Sequence, residues 1–326
     1  MTLVKRITLT VKNWIALLFR IILLPLIFLS RKIYLPGFRG MSLYNVGLFF
    51  IEGMQKSSIS LRANAITYSF IIAFVPAILF LFTLIPYVPI ANLHENVMMT
   101  ISEVLPEAAF ITIKSTIEDI ILRQQGGLLS ISFLLSIYFA SNGIIAIMTA
   151  FNQSSHSIET RSFVQKKLVS LLLVIILGIS LIIAAGAMSV SSFIFYFIEG
   201  EGWISSVTNR RLLEAGQWVI ILLTALIAFS SIYYLAPAKR GSFPFFSAGS
   251  FVSSFLSVIS FKVFIIFIEN FSNVNRFYGS LGTLIVILMW INLTALALLI
   301  GFELNASIYE ARMRNGNAKT IENEQL

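Results

Sequence analysis

Six stretches of the chain, residues 66–85, 128–149, 169–189, 219–235, 246–267 and 281–304, are apolar runs of the length needed to cross a bilayer. A spanning helix takes roughly 20 predominantly apolar residues, and hydrocarbon offers a backbone amide no water to bond. Such runs therefore fold as helices that satisfy their own polar backbone. The rest of the composition agrees, with 57% hydrophobic and 12% charged residues among 326, where a soluble domain carries about 25% charged. The expected fold class is all-α: a polytopic membrane protein built as a six-transmembrane-helix bundle with short polar loops.

The charges give the orientation. With the N-terminus inside, the cytoplasmic segments hold seventeen of the 23 Lys and Arg residues: nine in residues 1–62, then Arg161, Lys166, Lys167, Lys239, Arg240, Arg312, Arg314 and Lys319. The other side holds Lys114, Arg123, Arg210, Arg211 and Arg276. Short loops rich in Lys and Arg stay in the cytoplasm, so both termini are expected there. The net charge of +8 is thus a topology signal, and no nucleic-acid partner is expected. The absence of Cys excludes disulfides, thiolate metal sites and cysteine nucleophiles. His94 and His156 fall on opposite sides of the membrane in this topology, and no metal or cofactor is expected.

Residues 1–62 are expected to form cytoplasmic and interfacial N-terminal helices. Trp14 to Leu29 is apolar but short, interrupted by Arg20 and Pro25 and flanked by positive charge. It either lies in the interface or forms a seventh span. Ser42 to Lys56 is a second, shorter amphipathic candidate. Residues 63–311 form the membrane domain. Its long loop, 86–126, is placed outside and has helical apolar spacing at Leu93 to Val104 and Glu107 to Leu122, giving helices over the outer mouth or a simple connection. Residues 312–326 are too polar to pack and are expected to be a disordered cytoplasmic tail.

Polar side chains within these runs are the candidate functional groups, because amides and charges are costly at that depth unless they meet partners or water. On a helix advancing about 100° per residue, Tyr278, Asn292 and Glu303 share one stripe of the last run. Thr294, Ala297, Gly301 and Asn305 share another on the opposite side. The first offers hydrogen-bonding groups to an interior; the second lets a neighbouring helix approach closely. Tyr138, Asn142, Thr149 and Asn152 form a polar stripe in the second run, which either holds a neighbouring helix or lines a path. Ser247, Ser250, Ser254 and Ser257 read as a close-packing seam. The first run opens with Arg62, Asn64 and Tyr68 and is interrupted at Pro76, whose missing N–H frees a carbonyl; the result is a hinge lining a cavity or a simple kink. Lys262, in the outer third of its run, either snorkels to the interface or attracts an anionic head group. Glu269 and Glu303 are the carboxylates considered for it.

Several blocks occur together and in one order: Arg62-Ala63-Asn64-Ala65-Ile66-Thr67-Tyr68 leading to Pro76, Ser141-Asn142-Gly143, Ala150-Phe151-Asn152, Ala236-Pro237, Phe277-Tyr278-Gly279-Ser280-Leu281-Gly282, Trp290, and Gly301-Phe302-Glu303-Leu304-Asn305-Ala306. Over residues 42 to 311 this pattern resembles the YihY family, also called the virulence factor BrkB family. The resemblance implies a six-helix bacterial inner-membrane protein with both ends in the cytoplasm. Members have been labelled ribonuclease BN, associated with serum resistance and suspected of moving lipids or other amphiphiles. The stretch Trp14 to Leu29 and the position of Lys262 have no counterpart in the family pattern.

A ribonuclease needs a metal-binding acid cluster or paired histidines beside a basic groove, and the scattered acids and separated histidines exclude that reading; no enzyme activity is expected. The leading reading is a transporter or flippase for a lipid or amphiphilic anion. Its path is expected to use Arg62, Asn64, Tyr68, Tyr138, Asn142, Asn152, Lys262, Tyr278, Asn292 and Glu303, with Pro76 as hinge. No Gly-x4-Gly-Lys-Ser/Thr loop occurs, so the chain is not ATP-driven by itself. Membrane lipids and an anionic amphiphile are the partners this implies. The alternative is a non-transporting scaffold for an envelope-biogenesis complex, meeting an envelope protein through loop 86–126.

Overall fold

The computed structural model describes residues 28, 30–34, 37–56, 58–88, 93–104, 107–154, 159–200, 207–238, 243–269 and 280–324. Most of these residues are helical, and no strand occurs among them. The helices are α1 (Leu43–Lys56), α2 (Ile59–Leu84), α3 (Leu93–Val104), α4 (Glu107–Leu122), α5 (Gly126–Ser154), α6 (Phe163–Gly200), α7 (Val207–Leu235), α8 (Ala248–Glu269) and α9 (Ser280–Glu324). Six are long and apolar enough to span a membrane: Ile59–Tyr87, Gly126–Gln153, Phe163–Gly186, Ala215–Leu235, Ala248–Phe267 and Ile285–Arg314. The all-α six-span class is therefore the observed one. Helices α3 and α4 occupy the long loop with the bounds that apolar spacing gave. Trp14 to Leu29, apart from Phe28, lies outside the described residues.

The chain divides into two compact units. The smaller comprises residues 1–57 and 303–326. Within it, Gly37, Arg39 and Gly40 have φ of 90°, 51° and 80°, a left-handed turn that glycine adopts at little cost and arginine does not. The turn delivers Ser42, whose hydroxyl accepts from Asn45 N at 3.4 Å at the start of α1. Arg314 lies over the Phe49 ring at 4.8 Å, and Glu303 Oε2 sits against Gly53, 3.1 Å from where a Cβ would stand. The final helix continues to Glu324, past Arg312, where the sequence led us to expect disorder; a helix already nucleated by a long apolar span propagates cheaply into polar sequence.

The larger unit, residues 58–302, is the membrane bundle. In chain order α2 packs on α5, α5 on α6, α6 on α7 and α7 on α8. Two helices start at one end of it with reciprocal capping boxes. Ser162 and Gln165 exchange backbone-to-side-chain bonds at 3.0 and 3.3 Å ahead of α6. Ser247 and Ser250 do so at 3.0 and 3.2 Å ahead of α8. We call this the inner end; α2 also starts there, and α5 and α7 finish there. Inside the spans, Thr67, Ser180, Thr224 and Ser231 donate their hydroxyls to carbonyls one turn back at 2.7–2.8 Å, which satisfies them without water. Helix α2 runs unbroken through Pro76.

The core gathers at the inner half, from Ile59, Ala63 and Ile66 of α2, Ile144 to Phe151 of α5, Val169 and Leu173 of α6, Phe229 to Ala236 at the end of α7, and Ala295 to Phe302 of α9. Phe151 and Phe302 stack with centroids 3.9 Å apart and planes 4° apart, and Tyr233 lies within 5.8 Å and 6.3 Å of the two. With lipid as the competing environment, such contacts gain mainly from dispersion and close packing.

Candidate functional site

Gly301 explains how α9 sits so near α8. A Cβ there would collide with Ser253 Oγ and stand 2.5 Å from Gly249 O and 2.6 Å from Tyr233 Oη. Tyr233 donates to Leu298 O at 2.7 Å and Ser253 to Ala297 O at 2.8 Å. The small stripe read from sequence, Ala297 and Gly301, thus meets Gly249 and Ser253 of α8, which are not among the serines of the expected seam. Ser250, Ser253 and Ser254 are all buried.

The opposite stripe of α9 reaches α2. Asn292 Nδ2 donates to Asn64 Oδ1 at 2.8 Å and to Thr67 Oγ1 at 3.2 Å. Asn64 is exposed and Asn292 half-buried, and Tyr68, one turn along, is 69% exposed. This amide bridge is therefore at the flank of the bundle. Arg62 instead points inward, 6% exposed, and donates to Ala150 O at 2.9 Å. It ties the start of α2 to the end of α5.

A second polar group joins α5 to α6. Lys167 Nζ lies 3.1 Å from Asn142 Oδ1 and 4.4 Å from the centroid of the Tyr138 ring. Tyr138 is 53% exposed, while Asn142 and Lys167 are half-buried. Asn152, on the same stripe, belongs to another cluster. Its amide donates to Glu159 Oε2 at 2.6 Å, and its oxygen accepts from Ala238 N at 3.2 Å. Arg161 grips Glu159 at 2.8 Å through both Nε and Nη2 and donates to Ala236 O at 2.8 Å and Leu235 O at 3.4 Å. The guanidinium thus caps orphan carbonyls at the end of α7. Its hydrogen bonds hold the Glu159 carboxyl down at about 2, against the opposing effect of burial.

Of the other candidates, Lys262 is exposed, with its ammonium 5.4 Å from the Trp218 ring. Glu303, in the smaller unit, is 3% exposed, and Ser307 donates to its backbone carbonyl at 2.6 Å. Pro76 is half-buried. Tyr278 lies outside the described residues. The structure so brings Asn64 to Asn292 and Tyr138 to Asn142, and separates both pairs from Asn152.

Thr67, Glu159, Arg161 and Lys167 are polar partners that sequence reasoning did not single out. For Lys167 a signal was present. Ser162-x-x-Gln165 is a capping box, which starts the helix early enough to place Lys167 inside it. A separate groove of about 280 Å³ between α6 and α7 is lined by Ile176, Ile179, Ser180, Ile183, Ile220, Leu223, Thr224 and Ile227.

Comparison with known proteins adds the following. The chain is 27% identical over 265 residues to a ribonuclease-like protein, YfkH, of Bacillus subtilis (strain 168), covering 80% of this chain and 92% of the relative. It is 23% identical to a UPF0761 membrane protein of Psychromonas ingrahamii over 82% of this chain and 88% of that one. A Haemophilus influenzae UPF0761 membrane protein is 25% identical over 82% and 97% of the two chains. No solved structure matches. The profile of the virulence factor BrkB family matches residues 50–325. The chain is a multi-pass membrane protein belonging to the virulence factor BrkB family.

Proposed function

We propose that this protein moves a lipid or amphiphilic anion across a bacterial cytoplasmic membrane, with both termini in the cytoplasm and without an ATPase activity of its own. The observation that carries this reading is the Asn64–Asn292–Thr67 bridge. Amides at membrane depth are costly where they face hydrocarbon, yet this bridge lies at the flank of the bundle beside an exposed Tyr68. A polar strip on a lipid-facing flank suits a path in which a head group slides along the protein while its acyl chains stay in the bilayer. The ribonuclease-like name of YfkH does not carry over on chemistry: among the described residues no three His, Cys, Asp or Glu side chains come together, and we assign no catalytic role.

The tight aromatic packing at the inner end favours a second reading, a scaffold for envelope enzymes that docks partners through α3 and α4. One assay separates the two. Full-length protein is reconstituted into vesicles carrying a fluorescent phospholipid, and the rate at which the inner-leaflet probe becomes accessible to dithionite is measured. Transport predicts a rate above that of protein-free vesicles, and a fall of about fivefold in Asn292→Leu, the equivalent of about 1 kcal/mol. A wild-type rate equal to that of empty vesicles removes the transport reading and leaves the scaffold.

A further inference from the structure

Lys167 is a cation that points the wrong way. A lysine near the end of a spanning helix normally stretches its ammonium out to the interface. The chain reversal between α5 and α6 is pinned by the Asn152–Glu159–Arg161 cluster, so depth can be counted from there along both helices. At 1.5 Å per residue, Lys167 starts only about 6 Å inside Phe163, whereas Asn142 lies about 16 Å and Tyr138 about 22 Å from Gln153. The side chain that contacts Asn142 and covers the Tyr138 ring is therefore directed toward the middle of the membrane. No carboxylate accompanies it among the described residues.

The hydrogen-bonding inventory then fixes the sign and type of what is missing. An ammonium only donates, so Lys167 takes the oxygen side of the Asn142 amide and leaves its NH2 to point elsewhere. Among the described residues that NH2 has no acceptor, and neither does the Tyr138 hydroxyl. The full positive charge of Lys167 thus meets only a neutral amide and an aromatic face, with further donors on Asn142 and Tyr138 at hand and no anion among the described residues. Their apolar neighbours Leu134, Leu135, Leu168 and Leu172 are 65%, 41%, 62% and 47% exposed, a surface suited to acyl chains.

We propose that Lys167, Asn142 and Tyr138 form a binding site for the phosphate of an anionic phospholipid drawn from the leaflet at the inner end. The phosphate supplies several acceptor oxygens and the neutralising charge, and the exposed leucines take the chains. The site rests on the lipid-handling reading above and names the class of lipid. It lies on α5 and α6, apart from the Asn292 bridge.

The test uses full-length protein in nanodiscs of equal phosphatidylglycerol and phosphatidylcholine, released gently, with lipids retained per chain counted by native mass spectrometry. Wild type is expected to keep phosphatidylglycerol in preference to phosphatidylcholine. The preference should fall at least about tenfold in Lys167→Gln, the loss expected of one charge-assisted contact, and weaken in Asn142→Leu. It should persist in Lys167→Arg and in the loop control Lys114→Gln. Equal retention of the two lipids by wild type overturns the proposal whatever the variants do, as does an unchanged preference in a folded Lys167→Gln. Displacement of the lipid by millimolar inorganic phosphate assigns the site to the free anion and overturns the lipid assignment. Selective retention without dithionite-accessible transport leaves this site standing and removes the transport reading; transport with equal retention does the reverse.

Discussion

Asn292 of α9 and Asn64 of α2 meet at 2.8 Å across 228 residues of sequence, so the first and last spans of the bundle are bonded directly. Interhelical bonds of this type are worth about 0.6 to 1.7 kcal/mol in a bilayer. Asn292→Leu is therefore expected to lower stability by about 1 kcal/mol, read as a small drop in thermal midpoint. Asn64→Leu should add nothing further in the double variant, because both substitutions remove the same bond. Additive effects in that cycle would show that the two amides act separately.

Gly301 lets α9 pack against the backbone of α8. Gly301→Ala must displace the Gly249 carbonyl as well as Ser253 and Tyr233, and backbone does not yield cheaply. The expected cost is about 1 to 3 kcal/mol, the range for overpacking, seen as reduced yield of monodisperse protein and a lower melting temperature. Combining it with Ser253→Gly should recover only part of the loss, because the carbonyl is still in the way. Full recovery would place the clash entirely on the serine.

The Glu159–Arg161 clamp predicts a particular pH profile. The carboxyl, held at about 2 against an ordinary value of 4.5, is a depressed acid. Its contribution is fully present above about 4.5 and is lost as the pH falls toward 2. Glu159→Gln should therefore cost about 2 kcal/mol at neutral pH, and the gap from wild type should stay constant from pH 8 to pH 5. Thermal melts at lower pH should show the two proteins converging. A gap that changes between pH 6 and 8 would assign the effect to another group.

Orientation can be checked directly because the chain has no cysteine. Lys114→Cys in α4, whose native side chain is 52% exposed, is expected to react with a membrane-impermeant maleimide in intact cells. Thr160→Cys, exposed in the α5–α6 connection, should react only after lysis. The reverse labelling pattern would invert the topology.

Much of the fold was legible because hydrocarbon leaves so few options: the six apolar runs became six spanning helices, and α3 and α4 kept the bounds that their periodicity implied. Boundaries shifted at the inner end for a physical reason. Helix α6 starts at Phe163 rather than 169 because Ser162 and Gln165 cap it, and the apolar run marks only the part in lipid. The small stripe around Gly301 was legible as a face for a close neighbour, but its partners on α8, Gly249 and Ser253, were not. The polar clusters were less so. Glu159 and Arg161 stand two residues apart in a polar loop, a spacing indistinguishable from solvated charge until the end of α7 is seen beneath them. Lys167 was counted among loop cations, since charge counting reports the side of the membrane and not the direction of a side chain. The Tyr138–Asn142 stripe was visible, but the cation that completes it comes from the next helix.

The face-to-face rings of Phe151 and Phe302 have an electrical consequence. A charge driven through a membrane at 100 mV releases about 2.3 kcal/mol, so a conduit down the middle of the bundle would be a short circuit. At the level of those rings, aromatic side chains of α5, α7 and α9 pack on one another. For the transport proposed above, packed rings at this level would let an amphiphile pass along the flank without an ion path opening between them.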